Sequence, residues 1–293
     1  MVRTGRVGTD VTERTPADLA GVPETLLWTL YQRAAEARRP DTVLRDVRAV
    51  QLVEAIDYPF EDRFGGGELG QWQALRARCF DQQVSRFLAE HPGGTVVALG
   101  EGLETQFWRV DDGRVHWLTV DLPETIELRR RLLPPESPRQ RMIGASALER
   151  TWLDEVHPAR GLMITAQGLL MYLQPAEVHR LVAAIAARFP GSSMVLDGVP
   201  PWFSARTVKG RMTVRTSGEG YTAPPMPWAL DNAERDRLRA LHPGIVLTDL
   251  RPPRGHGLLH GVVLPLLARV PPVRALGLTG LPIVRLDFTR AGT

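Results

Sequence analysis

Apolar residues change their period partway along the chain. In TPADLAGVPETLLWTLYQRAAEARR, from Thr15, they recur every three or four positions with breaks at Gly21 and Pro23, the spacing of amphipathic helices. Two further helices are predicted near 41–56 and 70–90, and the stretch YPFEDRFGGGELG between them reads as a surface loop able to close over a ligand. At Thr95 the texture switches to short β-branched runs: TVVALG, VHWLTVD, RMIGAS, GLMITAQG and SSMVLDG. The helical patterns LETQFWRV, LPETIELRRRLL, LERTWLDEV and PAEVHRLVAAIAARF fall between most of them. Such alternation predicts βαβ units and a parallel sheet covered on both faces. It stops at 201–230, where PWFSARTVKGRMTVRTSGEGYTAPPMPW, rich in Pro, Gly and aromatic residues, reads as an insertion or lid. A helix near 231–241, a strand near 245–250 and the strand PIVRLDF follow. These breaks divide the chain into a flexible arm (1–15), a helical cap (16–92), an α/β core (93–200), the insertion (201–230) and a segment completing the sheet (231–293).

Composition narrows the function classes. The 293 residues are 43% hydrophobic and 24% charged, as in ordinary soluble domains. Lys209 is the only lysine, so nearly every cation is an arginine, and the signs are interspersed, as in RAAEARRPDTVLRD. With no basic stripe spaced by aromatic residues, nucleic-acid binding is not expected. The single cysteine, Cys79, excludes an intramolecular disulfide and a thiolate metal cage, and no metal is expected. Its place in the helical pattern LRARCFDQQVSRFL predicts a buried, inert thiol. MVRTGRVGTDVTERT lacks the apolar core of a secretory signal, and no apolar run approaches the ~20 residues of a membrane span. A cytoplasmic protein without membrane attachment is expected, and a homo-oligomer is compatible with it.

The richest chemical signal is TVVALGEGLETQFW. Gly100-Glu101-Gly102 directly follows the first strand, where open α/β sheets bind ligands. The second strand ends in Asp121, 21 positions beyond Gly100, placed to accept hydrogen bonds from ribose hydroxyls. A dehydrogenase fingerprint needs a third glycine, and Thr105 stands there instead. A pyrophosphate beside Glu101 and Glu104 would also bring like charges together in a low-dielectric crevice. S-adenosylmethionine has no phosphate and carries a sulfonium and an α-ammonium group, both suited to an acidic turn. The alternative is that both glutamates point to solvent.

The stretch VVALGEGLETQFWRVDDGRVHWLTVDLPETIELRRRLL resembles the core of the leucine carboxyl methyltransferase family, and within it the bacterial branch of tetracenomycin-type polyketide carboxyl O-methyltransferases. The resemblance extends through RAAEARRPDTVLRDVRAVQLVEAID and LRARCFD upstream and GASALERTWLDEV, ITAQGLLMYLQP and APPMPWAL downstream, roughly residues 25–230. It implies a class I methyltransferase fold, with a seven-stranded, mostly parallel, Rossmann-like sheet and one antiparallel strand near the end. The implied cofactor is S-adenosylmethionine. By resemblance Arg78, in RARCFD, pairs with the carboxylate of the donor's methionine moiety, and Arg33 matches a second basic residue there. Gly100 and Gly102 admit the donor to the backbone beside Glu101, Asp121 holds its ribose, and Ser146 and Ala147 border its adenine. Gln167, in ITAQG, falls where more distant members carry a glutamate beside the donor's amino group. The wider family reads Gly-x-Gly-Leu-Asp-Thr-Arg at the turn, whereas Glu104 and Gln106 replace the aspartate and arginine here.

Methyl transfer from a sulfonium is an in-line displacement that rests on holding the reacting atoms in line. A carboxylate acceptor is already ionised and needs only positioning donors, whereas a phenol profits from a base. His116, His157, His179, His256 and His260 form no evident His–Asp dyad, and no catalytic base is assigned. Tyr172, Trp202, Tyr221, Met226 and Trp228 are expected to wall an acceptor pocket over the strand ends, with Arg206 or Arg215 pairing an acidic acceptor. The leading expectation is an O-methyltransferase that esterifies a carboxylate on a small molecule, a polyketide-like or other secondary metabolite. Two alternatives stay open: a phenolic or enolic hydroxyl acceptor, and a methyltransferase-fold protein that binds the donor without transferring methyl, as a cyclase, pericyclase or regulatory subunit.

Overall fold

Seven of the apolar runs become strands of one sheet: β1 (Thr95–Leu99), β2 (His116–Asp121), β3 (Gln140–Gly144), β4 (Leu162–Ala166), β5 (Ser193–Asp197), β6 (Ile245–Leu250) and β7 (Ile283–Phe288). The computed structural model describes residues 14–16, 24–67, 69–214, 220–267, 269–270 and 280–289. The strand order is β3-β2-β1-β4-β5-β7-β6. β7 runs antiparallel to both of its neighbours, and the other pairings are parallel. β4 and β5 are buried at every position, as strands covered on both faces must be.

Alternation along β1 separates two cores. Val97 and Leu99 pack with Ile164 and Leu196 beneath Val178 and Ile185, whereas Val96 and Ala98 pack with Met163 beneath Phe80, Val84 and Phe87. The helices responsible are α8 (Pro175–Arg188) on one face and α4 (Gly70–Glu90) on the other. α8 starts at a proline, which costs no intrahelical hydrogen bond there, and Glu177 accepts from Gln174 N at 2.8 Å to close its first turn. Cys79 lies buried in α4, as expected, and burial pushes its thiol up to about 12.

The cap consists of α1 (Glu24–Ala37), α2 (Val47–Ala55), α3 (Phe60–Phe64) and α4. The helix expected over 41–56 begins only at Val47, because Asp46 caps it by accepting from Ala49 N at 3.0 Å. The stretch expected as a surface loop forms α3, whose Phe60 and Phe64 are buried against Tyr31 and Tyr58. Thr15–Pro16 pairs in parallel with Ile56–Asp57, so the end of the expected arm is a strand; residues 1–13 lie outside the described residues. Within 201–230 lie α9 (Pro201–Val208) and a two-residue strand pair, Thr213–Val214 with Tyr221–Thr222. Among the described residues no helix is long and apolar enough to cross a membrane.

The chain order reverses beside β1: β2 and β3 lie on one side of it, β4 and β5 on the other. This switch point opens a crevice at the carboxyl ends of β1 and β4, and the cap and the 201–230 insertion roof it.

Candidate active site

A cavity of about 510 Å³ occupies that crevice. Its floor is the turn Gly100–Glu104 after β1, and Gln167 and Gly168 after β4. α1 and α4 supply one wall, and the insertion supplies the other. The turn needs its glycines: Gly100 and Gly102 have φ of 59° and 54°. A Cβ at Gly100 would come within 2.7 Å of Leu169 Cδ1, and one at Gly102 within 3.0 Å of Leu26 Cβ. Asp121 ties the turn to β2, its two carboxylate oxygens accepting from Gly102 N at 2.7 Å and Leu122 N at 2.8 Å.

The two glutamates of the turn are not free anions. Glu101 turns inward, where its Oε2 accepts from Thr119 Oγ1, from Trp117 Nε1 at 3.4 Å and from Arg129 Nη2 at 3.1 Å. Burial raises the Glu101 carboxyl above its ordinary range, although the Arg129 guanidinium opposes the shift. Glu104 accepts from Arg109 Nη1 at 2.7 Å, Gln167 Nε2 at 2.9 Å and Thr105 N at 2.9 Å, and lies 3.2 Å from Arg33 Nη1. Burial alone would raise this carboxyl too, but Arg109 and Arg33 outweigh it and hold Glu104 at about 2. Asp46 and Asp81 complete the network through Arg33 and Arg109. Four carboxyl groups, of which burial raises Glu101 and Asp81, thus meet three guanidiniums, Arg33, Arg109 and Arg129, a surplus of one acid within this set. The alternative that both glutamates point to solvent is corrected: both are buried in this network.

Arg78, expected at the site, stands off the cavity, and Arg76 lines it instead. Arg78 is exposed and donates to Val43 O at 3.3 Å, away from the cavity. Two residues are about 200° of helical turn, so Arg76 takes the opposite face of α4. It lines the cavity, donating from Nε to Asp197 Oδ2 at 2.5 Å and from Nη1 to Gln73 Oε1 at 2.9 Å. Asp197, at the end of β5, also accepts from Gly168 N at 2.7 Å, which locks arginine, strand end and turn together. Arg33 lines the cavity as expected, but all three of its nitrogens are engaged, by Asp46, Glu104 and Leu103 O. Gln167 lines it too, and its buried Oε1 has no hydrogen-bond partner; the same is true of Glu101 Oε1.

Asp121, Ser146 and Ala147 fall outside the cavity lining, along the carboxyl ends of β2 and β3. Ser146 Oγ accepts from Leu148 N, and Ala147 is buried, its carbonyl accepting from Trp152 Nε1 at 3.0 Å. Of the expected acceptor wall, Tyr172, Trp202, Tyr221 and Met226 line the cavity. Trp228 does not: it is a core residue whose Nε1 donates to Glu234 Oε1 at 2.8 Å. Arg206 is exposed on α9, over the Trp202 ring and off the cavity wall, and Arg215 lies outside the described residues. Thr25, Trp28, Trp72 and Phe203, which no sequence motif singles out, also line the cavity. Trp28 and Trp72 sit in helical patterns that look the same whether a face meets core or ligand. None of the expected histidines lines the cavity; His179 pairs with Glu234 at 2.6 Å, and His256 with Glu36 at 3.2 Å.

Comparison with known proteins adds the chemistry such a cavity serves elsewhere. The profile of the leucine carboxyl methyltransferase family matches residues 27–186. The chain is 38% identical over 204 residues to the tetracenomycin polyketide synthesis O-methyltransferase TcmP of Streptomyces glaucescens, a match covering 69% of this chain and 75% of that protein. It is 31% identical over 192 residues to the S-adenosyl-L-methionine-dependent methyltransferase dpfgK of Gibberella zeae, covering 60% of this chain and 64%, under two thirds, of the relative. Among solved structures, a chain from Thermobifida fusca described as a candidate methyltransferase superposes with a TM-score of 0.50 at 16% identity, covering 96% of this chain and 97% of its own. A candidate exported protein from Bordetella parapertussis gives 0.54 at 15% identity, covering 92% and 80%.

Proposed function

Because this chain belongs to the leucine carboxyl methyltransferase family and is an S-adenosylmethionine-dependent methyltransferase, we propose that it methyl-esterifies a carboxylate on an apolar, polyketide-like small molecule. The observation that carries the reading is the cavity wall: Trp28, Trp72, Trp202, Phe203, Tyr221 and Met226 offer flat and apolar surface to a polycyclic acceptor.

The residues on the floor fit the methyl donor. Gln167 Oε1 and Glu101 Oε1 are buried acceptors without partners, the complement of an α-ammonium group. Arg76, fixed by Asp197 and Gln73, has the chemistry for the donor's carboxylate, and Asp121 the chemistry for ribose hydroxyls. The surplus of acids over guanidiniums in the buried network favours a cationic ligand over a phosphate. When bound, S-adenosylmethionine supplies an electrophilic methyl group.

The chain's own residues then bind, orient and keep water out. Arg109 and Arg33 hold Glu104 at about 2, so it is not available to take a proton from an acceptor. An ionised carboxylate does not ask for that, which supports the carboxyl over the hydroxyl reading. The test is to supply S-adenosylmethionine with paired aryl carboxylates and phenols and treat the products with mild base. Methyl esters that hydrolyse are expected; base-stable aryl ethers would refute the proposal.

A further inference from the structure

Polar groups around the cavity sort by hydrogen-bond sense. The floor carries the unpartnered acceptors Gln167 Oε1 and Glu101 Oε1. The wall between α1 and the insertion carries donors. Tyr221 is only 5% exposed, and its ring is fixed by Phe64, edge-on at 5.3 Å, and by Trp28, stacked at 6.4 Å and 14°. The hydroxyl of Tyr221 has no hydrogen-bond partner among the described residues and is not walled off by protein. The Nε1–H of Trp28 is buried and also unpartnered. Other phenols nearby are engaged: Tyr172 with Thr25, and Tyr58 with Glu24 at 2.5 Å. Burial pushes the Tyr221 phenol upward, so it stays protonated and donates.

Cations are scarce at the same wall. Arg33 has every nitrogen engaged, Arg63 is paired with Glu24 at 2.6 Å, Arg206 lies outside, and Arg76 sits across the floor beside Gly168. We infer that the Tyr221 hydroxyl, backed by the Trp28 indole N–H, seats the acceptor's carboxylate, so that the reacting anion is held directly by neutral donors. This rests on the carboxyl-methylating reading above. In the transfer, a carboxylate oxygen forms the new bond to the methyl carbon, the carbon–sulfur bond breaks, and its electron pair stays on sulfur. An anion and a cation become a neutral ester and a neutral thioether, and no proton moves. A weakly solvated wall favours such charge neutralisation, and a phenol orients the anion without the charge that a guanidinium would set against the attack.

The experiment titrates the full chain, loaded with S-adenosylhomocysteine, with 2-naphthoate and 2-naphthol by calorimetry. The parent is expected to prefer naphthoate. Tyr221→Phe keeps the ring packing and should weaken naphthoate about 10- to 100-fold, the worth of one hydrogen bond to a charged group. Naphthol and S-adenosylhomocysteine affinities should change less than about threefold. Trp28→Phe should weaken naphthoate in the same direction, and serves alone if Tyr221→Phe fails to fold. No preference for naphthoate in the parent, or unchanged naphthoate affinity in the variants, overturns the assignment. If the variants weaken naphthoate as expected but labelled methyl reaches only hydroxyl acceptors, the seat is real and the carboxyl-methylating reading fails instead.

Discussion

Replacing Glu104 by glutamine removes one carboxylate from the buried network and leaves Arg33 and Arg109 facing a neutral amide. The cost follows from the protonation equilibrium. Glu104 is held at about 2 in the folded chain against an ordinary 4.5, a gap worth about 3 kcal/mol in favour of the folded state. The pKa is depressed on folding, so this stability is fully present above the unfolded value and is lost as pH falls through the folded one. The parent–variant difference should therefore be about 3 kcal/mol at pH 6 and shrink to roughly half of that by pH 3. Urea-unfolding midpoints of both proteins across that range, with slopes checked for constancy, provide the assay. A difference that does not change with pH would refute the reasoning, because it would locate the effect in hydrogen bonding and shape. No difference at pH 6 would mean that the ion pairs do not form.

Three further outcomes follow from the geometry. Arg76→Ala should lower S-adenosylmethionine affinity at least about tenfold and, by leaving Asp197 buried without its partner, destabilise by about 3–5 kcal/mol, whereas Arg78→Ala should do neither; calorimetry and thermal melting separate them. Gly100→Ala should cost about 1–3 kcal/mol from its left-handed backbone, more if Leu169 cannot yield, and a melting curve matching the parent would contradict this. Trp228→Phe should destabilise by about 1–3 kcal/mol through the lost hydrogen bond to buried Glu234 and the lost indole volume while leaving the acceptor's KM unchanged; a raised KM at parental stability would return Trp228 to the pocket.

The strands were legible in the sequence because a sheet buried on both faces demands short β-branched runs, and TVVALG and GLMITAQG have no other reading. Asp121 was legible for the same reason: its place at a strand end follows from the run before it. Side-chain direction was not. RARCFD holds an arginine on each side of Ala77, and only the phase set by Gln73, Ala77 and Phe80 on the buried face of α4 selects Arg76. The acidic turn was conspicuous as charge, but its partners lie far off in sequence, Arg33 on α1 and Arg129 on the helix after β2, so their neutralising role could not be read locally. Trp228 looked like a wall residue because PMPW lies in the insertion; its indole instead reaches back to Glu234 in the next helix. α3 was hidden by its glycine-rich flank, although Phe60 and Phe64 stand one helical turn apart.

Carboxyl methylation leaves its signature in the fate of the transferred methyl group. The full chain is incubated with S-adenosylmethionine labelled in its methyl group and with 2-naphthoate or 2-naphthol, and the label is followed through brief treatment with mild base. Label is expected on the naphthoate, in a product that base returns to the free acid with release of labelled methanol. Label confined to a base-stable naphthyl ether would contradict carboxyl methylation.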